Sequence, residues 1–216
     1  MGYQNVHATA RVGRPRKADL DAAAERIIKA ATELFASRGF AGTSMEQVAS
    51  QCGAGKDTVY RRYPSKVALF EAVVEDAHKR AINKLEKMPA ANGDALERLR
   101  SLMLELLHVN MEPDLIALKR ITFSEAVVFE KHGPIPPQPD PIMERLVEAV
   151  STAQEADVIV HGDANAIAIH LIHCLVALPT AAAMTGSSKF SSRREVEEHF
   201  WKTWHWLING LKGATA

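Results

Sequence analysis

The chain has 216 residues and 47% hydrophobic content, enough for one or two domains with a sizeable core. Its 26 Lys+Arg balance 26 Asp+Glu, and a net charge of zero argues by itself against a nucleic-acid partner. The distribution argues the other way: residues 1–66 hold 11 basic against 6 acidic side chains, and the remainder holds 15 against 20.

Residues 1–19 read as a basic, disordered tail carrying Arg11, Arg14, Arg16 and Lys17. The spacing of Ile27, Ile28, Ala31, Leu34 and Phe35 predicts a helix over Asp21–Arg38, ended by Gly39. Thr43-Ser44-Met45-Glu46 reads as a capping box with Thr43 as the cap, opening a short helix to about Cys52. Gly53 stands where a helix terminator needs positive φ. After Gly53-Ala54-Gly55 comes a second short helix, Lys56–Arg62, basic outside and apolar at Val59, stopped by Pro64. Two short helices joined this way form a helix-turn-helix, which sets its second helix in the DNA major groove.

Ser65 caps a long helix from Lys66 to about Lys87. Further helices are expected from Asp94 to about Asn110, from Pro113 to about Lys131, and over 142–156. Five prolines between His132 and Pro141 enforce a loop. Asp163 caps an apolar helix to Met184, which Pro179 is expected to kink. Ser192-Arg193-Arg194-Glu195 is a second capping box, opening a last helix to about Leu211. The expected fold is all-α with about nine helices. A helix-turn-helix domain occupies 20–80, and a C-terminal helical domain occupies 81–216.

Ala164–Met184 is long enough to span a bilayer, but Asn165, His170, His173, Pro179 and Thr180 are costly there, so a buried or interface helix is the reading. No apolar run follows the N-terminal charges, so no secretion signal is expected, and the location is read as cytoplasmic. Cys52 and Cys174 lie far apart and form no metal-ligand pair.

The segment IIKAATELFASRGFAGTSMEQVASQCGAGKDTVYRRYPSKVALFEAVV, Ile27–Val74, resembles the DNA-binding domain of the TetR family of transcriptional regulators. The resemblance rests on A-x-E-L-F-A-x-x-G-F, then T-S-M-x-x-V-A, then T-V-Y-R-R-Y-x-S-K-x-x-L-F, in order. Two positions depart from the family pattern. The turn is Gly-Ala-Gly where Gly-Val-Ser is common, and Asp57 stands where a small residue is common.

The resemblance implies a groove-facing set of Lys56, Thr58, Tyr60, Arg61 and Arg62, with an arginine able to reach guanine. Asp57 would accept from a cytosine amino group or orient Lys56. Thr43 and Ser44, at a helix N-terminus, and Lys66 would contact phosphate. Arg14, Arg16 and Lys17 would enter the minor groove as an arm. The last two helices would pair two subunits through Ile169, Ile172, Val176, Phe200, Trp204, Leu207 and Leu211. A small, largely apolar effector would sit among Met103, Leu107, His108, Met111, Phe123, Val127, Phe129, Met143, His170 and His173. The implied protein is a homodimer on a palindromic operator, released when the effector binds. No cofactor or metal is expected.

Two other readings are weighed. One is an effector-independent activator or architectural DNA-binding protein. The other is a metal-dependent helical enzyme built on the E-x-x-H pairs Glu75/His78 and Glu105/His108. Helical spacing puts both pairs on polar faces opposite the leucines, which disfavours it. No nucleophile elbow, phosphate loop or zincin motif occurs.

Overall fold

The computed structural model describes residues 17–87, 93–124 and 140–210, with side chains from Asp21 onward. Nine helices run through these residues, and no strand occurs among them. α1 (Lys17–Arg38) begins four residues ahead of the expected Asp21. Lys, Ala and Leu are good helix formers, and Asp19 suits a first turn. α1 closes at Gly39, φ 72°, whose N–H donates to the Phe35 carbonyl at 2.9 Å.

α2 (Met45–Cys52) is capped by Ser44, not by Thr43. The Ser44 hydroxyl accepts the Gln47 N–H at 3.2 Å, and Gln47 Oε1 accepts the Ser44 N–H at 2.9 Å. The box slips by one residue because Thr43 is buried, its hydroxyl donating to the Gly39 carbonyl at 2.8 Å. Gly53 ends α2 at φ 65°, as its type predicts. α3 (Lys56–Arg62) follows, then α4 (Lys66–Glu86), where the Ser65 hydroxyl accepts the Ala68 N–H. α5 (Ala95–Asn110) is capped by Asp94. α6 (Pro113–Ser124) is described to Ser124, and its expected extension to Lys131 lies outside the described residues. α7 (Pro141–Glu155) is capped by Asp140, α8 (Ala164–Met184) by Asp163, and α9 (Arg193–Asn209) by the expected Ser192/Glu195 box.

α8 is interrupted. Regular turns end at Ile172, wider π-helical turns run His173–Ala177, and regular helix resumes at Leu178. Pro179 has no N–H to give the Leu175 carbonyl, and the wide turns span that gap.

Two hydrophobic cores form. The first joins α1, α2, α3 and the start of α4, through Ile27, Phe35, Val48, Val59, Leu69 and Phe70. The second joins the end of α4 with α5, α7, α8 and α9, through Leu99, Met103, Leu146, Leu175 and Phe200. α4 crosses from one to the other between Ala77 and Ala81. α6 crosses too: its Leu118 and Ile121 are buried in the first core, and Leu115 packs against both.

The α1–α2 loop is tied to α4. Phe35, Phe40 and Phe70 form an aromatic triad with centroids 5.2–5.8 Å apart. Lys66 lies over the Phe40 ring at 4.4 Å and donates to the carbonyls of Phe40 (2.9 Å) and Thr43 (3.1 Å). This contact joins the loop ahead of α2 to the first residue of the helix that enters the second core.

Candidate nucleic-acid interface and ligand cavity

α3 presents one side to the first core and the other to solvent. Val59 is fully buried and Tyr63 packs inward just after the helix. At 3.6 residues per turn, Asp57 and Arg61 lie opposite Val59, flanked by Tyr60 and Thr58. Lys56, Asp57, Tyr60, Arg61 and Arg62 are exposed, and Thr58 is half-buried. Neither Arg61 nor Arg62 enters an ion pair among the described residues. Both stay available to an incoming acceptor.

Lys56 is already engaged. Its ammonium lies 2.7 Å from Glu46 Oε1, on α2, and the Tyr60 hydroxyl donates to the same oxygen at 3.1 Å. The Lys56 hydrogen bond holds the Glu46 carboxyl down at about 2, well below the usual carboxylate range. The same carboxylate raises Lys56, so the ammonium stays charged. Glu46 was legible only as a capping partner. Its true role follows from the one-residue slip of the cap, which turns it outward.

Two expected phosphate contacts are corrected. Thr43 is buried with its hydroxyl donating to the Gly39 carbonyl. Lys66 is half-buried and clamps the α1–α2 loop. The loop carbonyls reach these groups before a ligand does. The Ser44 hydroxyl accepts as the α2 cap, which leaves its O–H donor for a phosphate. Arg14, Arg16 and the Lys17 side chain lie outside the described residues.

A cavity of about 330 Å³ lies where the two cores meet. α4 lines it with Val74, Ala77, His78 and Ala81, and α5 with Leu106, Val109 and Asn110. α6 adds Leu115, Leu118, Lys119 and Thr122; Met143 comes from α7, and Ile172 and Val176 from α8. The walls are apolar, and Lys119 and Asn110 are the paired polar groups within them. A wider groove of about 840 Å³ runs along α1, but it is open, and Arg80 on its rim is paired with Asp76 and Asp114.

Of the expected pocket residues, Met143 lines this cavity. Met103 and Leu107 are fully buried in the second core, and Met111 packs against that core just past α5. His108 turns to α9, where it approaches Glu197 at 3.1 Å. Phe123 is 73% exposed. His170 and His173 are on the outer side of α8. Val127 and Phe129 lie outside the described residues. The misplacement has one cause: residue character identifies apolar positions, while helix rotation decides which of them face a void. Lys119 was missed, although a lone lysine within Leu115–Phe123 was its signal.

The E-x-x-H pairs separate in space. His78 borders the cavity mouth, His108 is largely covered at the α5–α9 contact, and Glu75 pairs with Lys79 at 2.6 Å. No group of three or more His, Cys, Asp and Glu converges among the described residues.

The expected subunit interface is also corrected in part. Val176, Phe200 and Trp204 are buried within the chain's own second core, and Ile172 lines the cavity. Ile169 is half-buried, and Leu211 lies outside the described residues. The apolar side chains left exposed on α8 and α9 are Leu178 (51%), Trp201 (46%), Trp206 (44%) and Leu207 (39%). α8 has a mean hydropathy of 1.9 over its most apolar window, yet only 33% of that window is buried within the chain.

Residues 27–73, which hold most of α1, all of α2 and α3 and the start of α4, match the family model for bacterial regulatory proteins of the tetR family. That match identifies a TetR-type DNA-binding segment within this chain. It is 39% identical over 64 residues to the HTH-type transcriptional regulator YerO of Bacillus subtilis, spanning 30% of this chain and 22% of that one. It is 30% identical over 107 residues to the nucleoid occlusion factor SlmA of Vibrio atlanticus, spanning 49% of this chain and 54% of that one. These matches thus span about a fifth and about half of the relatives' lengths. A solved TetR-family transcriptional regulator from Mesorhizobium loti superposes with a TM-score of 0.72 at 26% identity, covering 88% of this chain and 96% of that one. The TetR-type likeness therefore extends through the C-terminal helices in fold, where the sequence matched only in helix layout.

Proposed function

We propose that this chain is a dimeric, sequence-specific DNA-binding transcriptional regulator, a repressor released from a palindromic operator when a small, largely apolar ligand enters the cavity. The observation that carries the reading is the position of the cavity at the junction of the two cores. α4 and α6 each line it and each also pack into the DNA-binding core. A ligand that favours a different packing of these helices shifts the spacing of the two α3 helices. It acts only through its differential affinity for the two arrangements.

The exposed cationic side of α3 supports major-groove docking, with Arg61 or Arg62 on guanine and Asp57 near a cytosine amino group. The unburied apolar surface of α8 and α9 supports pairing of two copies. A two-fold dimer would present α3 helices about 34–36 Å apart, one DNA turn, and so read a palindrome. A basic arm from Arg14, Arg16 and Lys17 would add minor-groove contacts. A cytoplasmic location goes with this reading.

The match to a nucleoid occlusion factor, SlmA, runs well beyond the 27–73 segment and keeps a second reading in play, an activator or architectural DNA-binding protein that takes no effector. Selection from random duplexes at two salt concentrations, followed by ligand titration on the selected site, separates the two. An enriched palindrome that a ligand releases supports the first. An enriched site that no cavity ligand weakens supports the second. Salt-sensitive binding with no consensus leaves only the phosphate contribution and favours an architectural role.

A further inference from the structure

We infer that the cavity takes an amphipathic monocarboxylate, with its apolar body against Val74, Ala81, Leu106 and Ile172 and its carboxylate on Lys119 and Asn110. This rests on the reading of the cavity as the effector site and names the ligand class for it.

The argument begins with Lys119. It sits one residue after Leu118, which joins the DNA-binding core and also borders the void, and its own side chain reaches into that void. Its ammonium donates to Asn110 Oδ1 on α5 and pairs with no carboxylate among the described residues. Burial alone pushes its pKa down, with no acidic group offsetting it. An ammonium has three donors, and one is used on Asn110, which leaves two for an incoming acceptor. Asn110 is itself held, its amide nitrogen donating to the Leu106 carbonyl at 2.7 Å. The pair is therefore fixed across α5 and α6 before any ligand arrives.

The other ionisable groups at the cavity do not supply the missing anion. Asp140 lines it, but its carboxylate accepts the N–H groups of Ile142 and Met143 as the α7 cap. His78 is exposed at the mouth. One cation with two free donors matches the charge and the two oxygens of a carboxylate. A phosphate dianion would bring a second negative charge with no second cation to meet it. A cationic ligand would meet a like charge. The size, about 330 Å³, is at the lower end of the ~300–1,000 Å³ typical of small-molecule sites. The wide turns at His173–Ala177 lie against the same void, bringing Val176 to its wall.

The test is calorimetry on the full chain without DNA. The probes are octanoate, benzoate and phenylacetate, each beside its primary amide, with octylammonium as the opposite charge. At least one acid is expected to bind about tenfold or more tightly than its amide, the ratio a charge-assisted hydrogen bond gives. Octylammonium should not bind. Lys119→Met should erase the preference for that acid while keeping amide binding, with circular dichroism confirming the fold, and Lys119→Arg should keep part of it. The inference is overturned if no acid outbinds its amide, or if Lys119→Met leaves the preference intact. An acid that binds through Lys119 but leaves operator affinity unchanged would sink the repressor mechanism and not this assignment.

Discussion

Leu118 and Lys119 are neighbours in the chain and both border the cavity, yet Leu118 is also buried against the helix-turn-helix core while Lys119 reaches across to Asn110 on α5. α6 is thus a crossbar. Next along it, Arg120 donates to the Met184 carbonyl at 2.9 Å and reaches that of Ala183, capping the C-terminal end of α8. Leu118→Ala should lower the free energy of unfolding by about 2–5 kcal/mol, the range for a buried leucine truncation. Urea denaturation reads this directly. An unchanged midpoint would mean that α6 does not share the N-terminal core.

Lys66 offers a choice between two roles. If it clamps the α1–α2 loop, Lys66→Met removes one donor from each of the Phe40 and Thr43 carbonyls and costs about 1–3 kcal/mol of stability. The salt dependence of DNA binding would then keep its slope. If Lys66 met phosphate instead, that slope would fall by about one. Binding measured across a salt series, beside thermal melts, distinguishes these outcomes.

The Glu46 contact carries a pH signature. Its carboxyl titrates near 2 in the folded chain, against an ordinary value of 4.5, because Lys56 and Tyr60 both bond its charged form. A depressed folded value means that the contribution to stability is fully present above 4.5 and is lost as pH falls toward 2. The pair is fully exposed, so the effect on stability is small. Carboxyl-detected NMR of Glu46 should show a midpoint near 2. Lys56→Met should return it toward 4.5, and a wild-type midpoint already there would exclude the contact.

Arg61 lies at the outermost part of α3. Arg61→Ala should cost about 1–3 kcal/mol on a selected site and relax base preference at a single position. A uniform loss across all sequences, with a lower salt slope, would reassign Arg61 to phosphate.

Two tryptophans on α9 should separate assembly from folding. Trp204 is buried and stacks on Phe200 at 5.9 Å, so Trp204→Ala should cost about 3–5 kcal/mol of stability. Trp206 is exposed, so Trp206→Glu should leave the monomer folded and break the proposed dimer. Light scattering with circular dichroism reads both. A Trp206→Glu chain that stays dimeric would move the interface off that side of α9.

The helix-turn-helix was legible in residues alone because its signals are local. Gly39 and Gly53 take positive φ, Ser65 caps α4, and Val59 turns inward, each a consequence of one residue's own chemistry. Even there the competition between Thr43 and Ser44 for the α2 cap needed the Gly39 carbonyl, four residues back, to decide it.

The amino-acid sequence by itself thus determined the helices, their order and the DNA-binding segment, because capping and apolar periodicity act within a few residues. Only the tertiary structure decided which apolar side chains fill the core and which line the void. Met103 and Leu106 are three residues apart on α5, both buried, yet only Leu106 borders the cavity. That difference is set by the rotation of α5 against α4, α6 and α8. The same packing made Phe200 and Trp204 core and left Trp201 and Trp206 outside. It also brought Lys119 to Asn110, nine residues apart on consecutive helices, a contact set by the angle at which α5 and α6 pack rather than by a pattern within either helix.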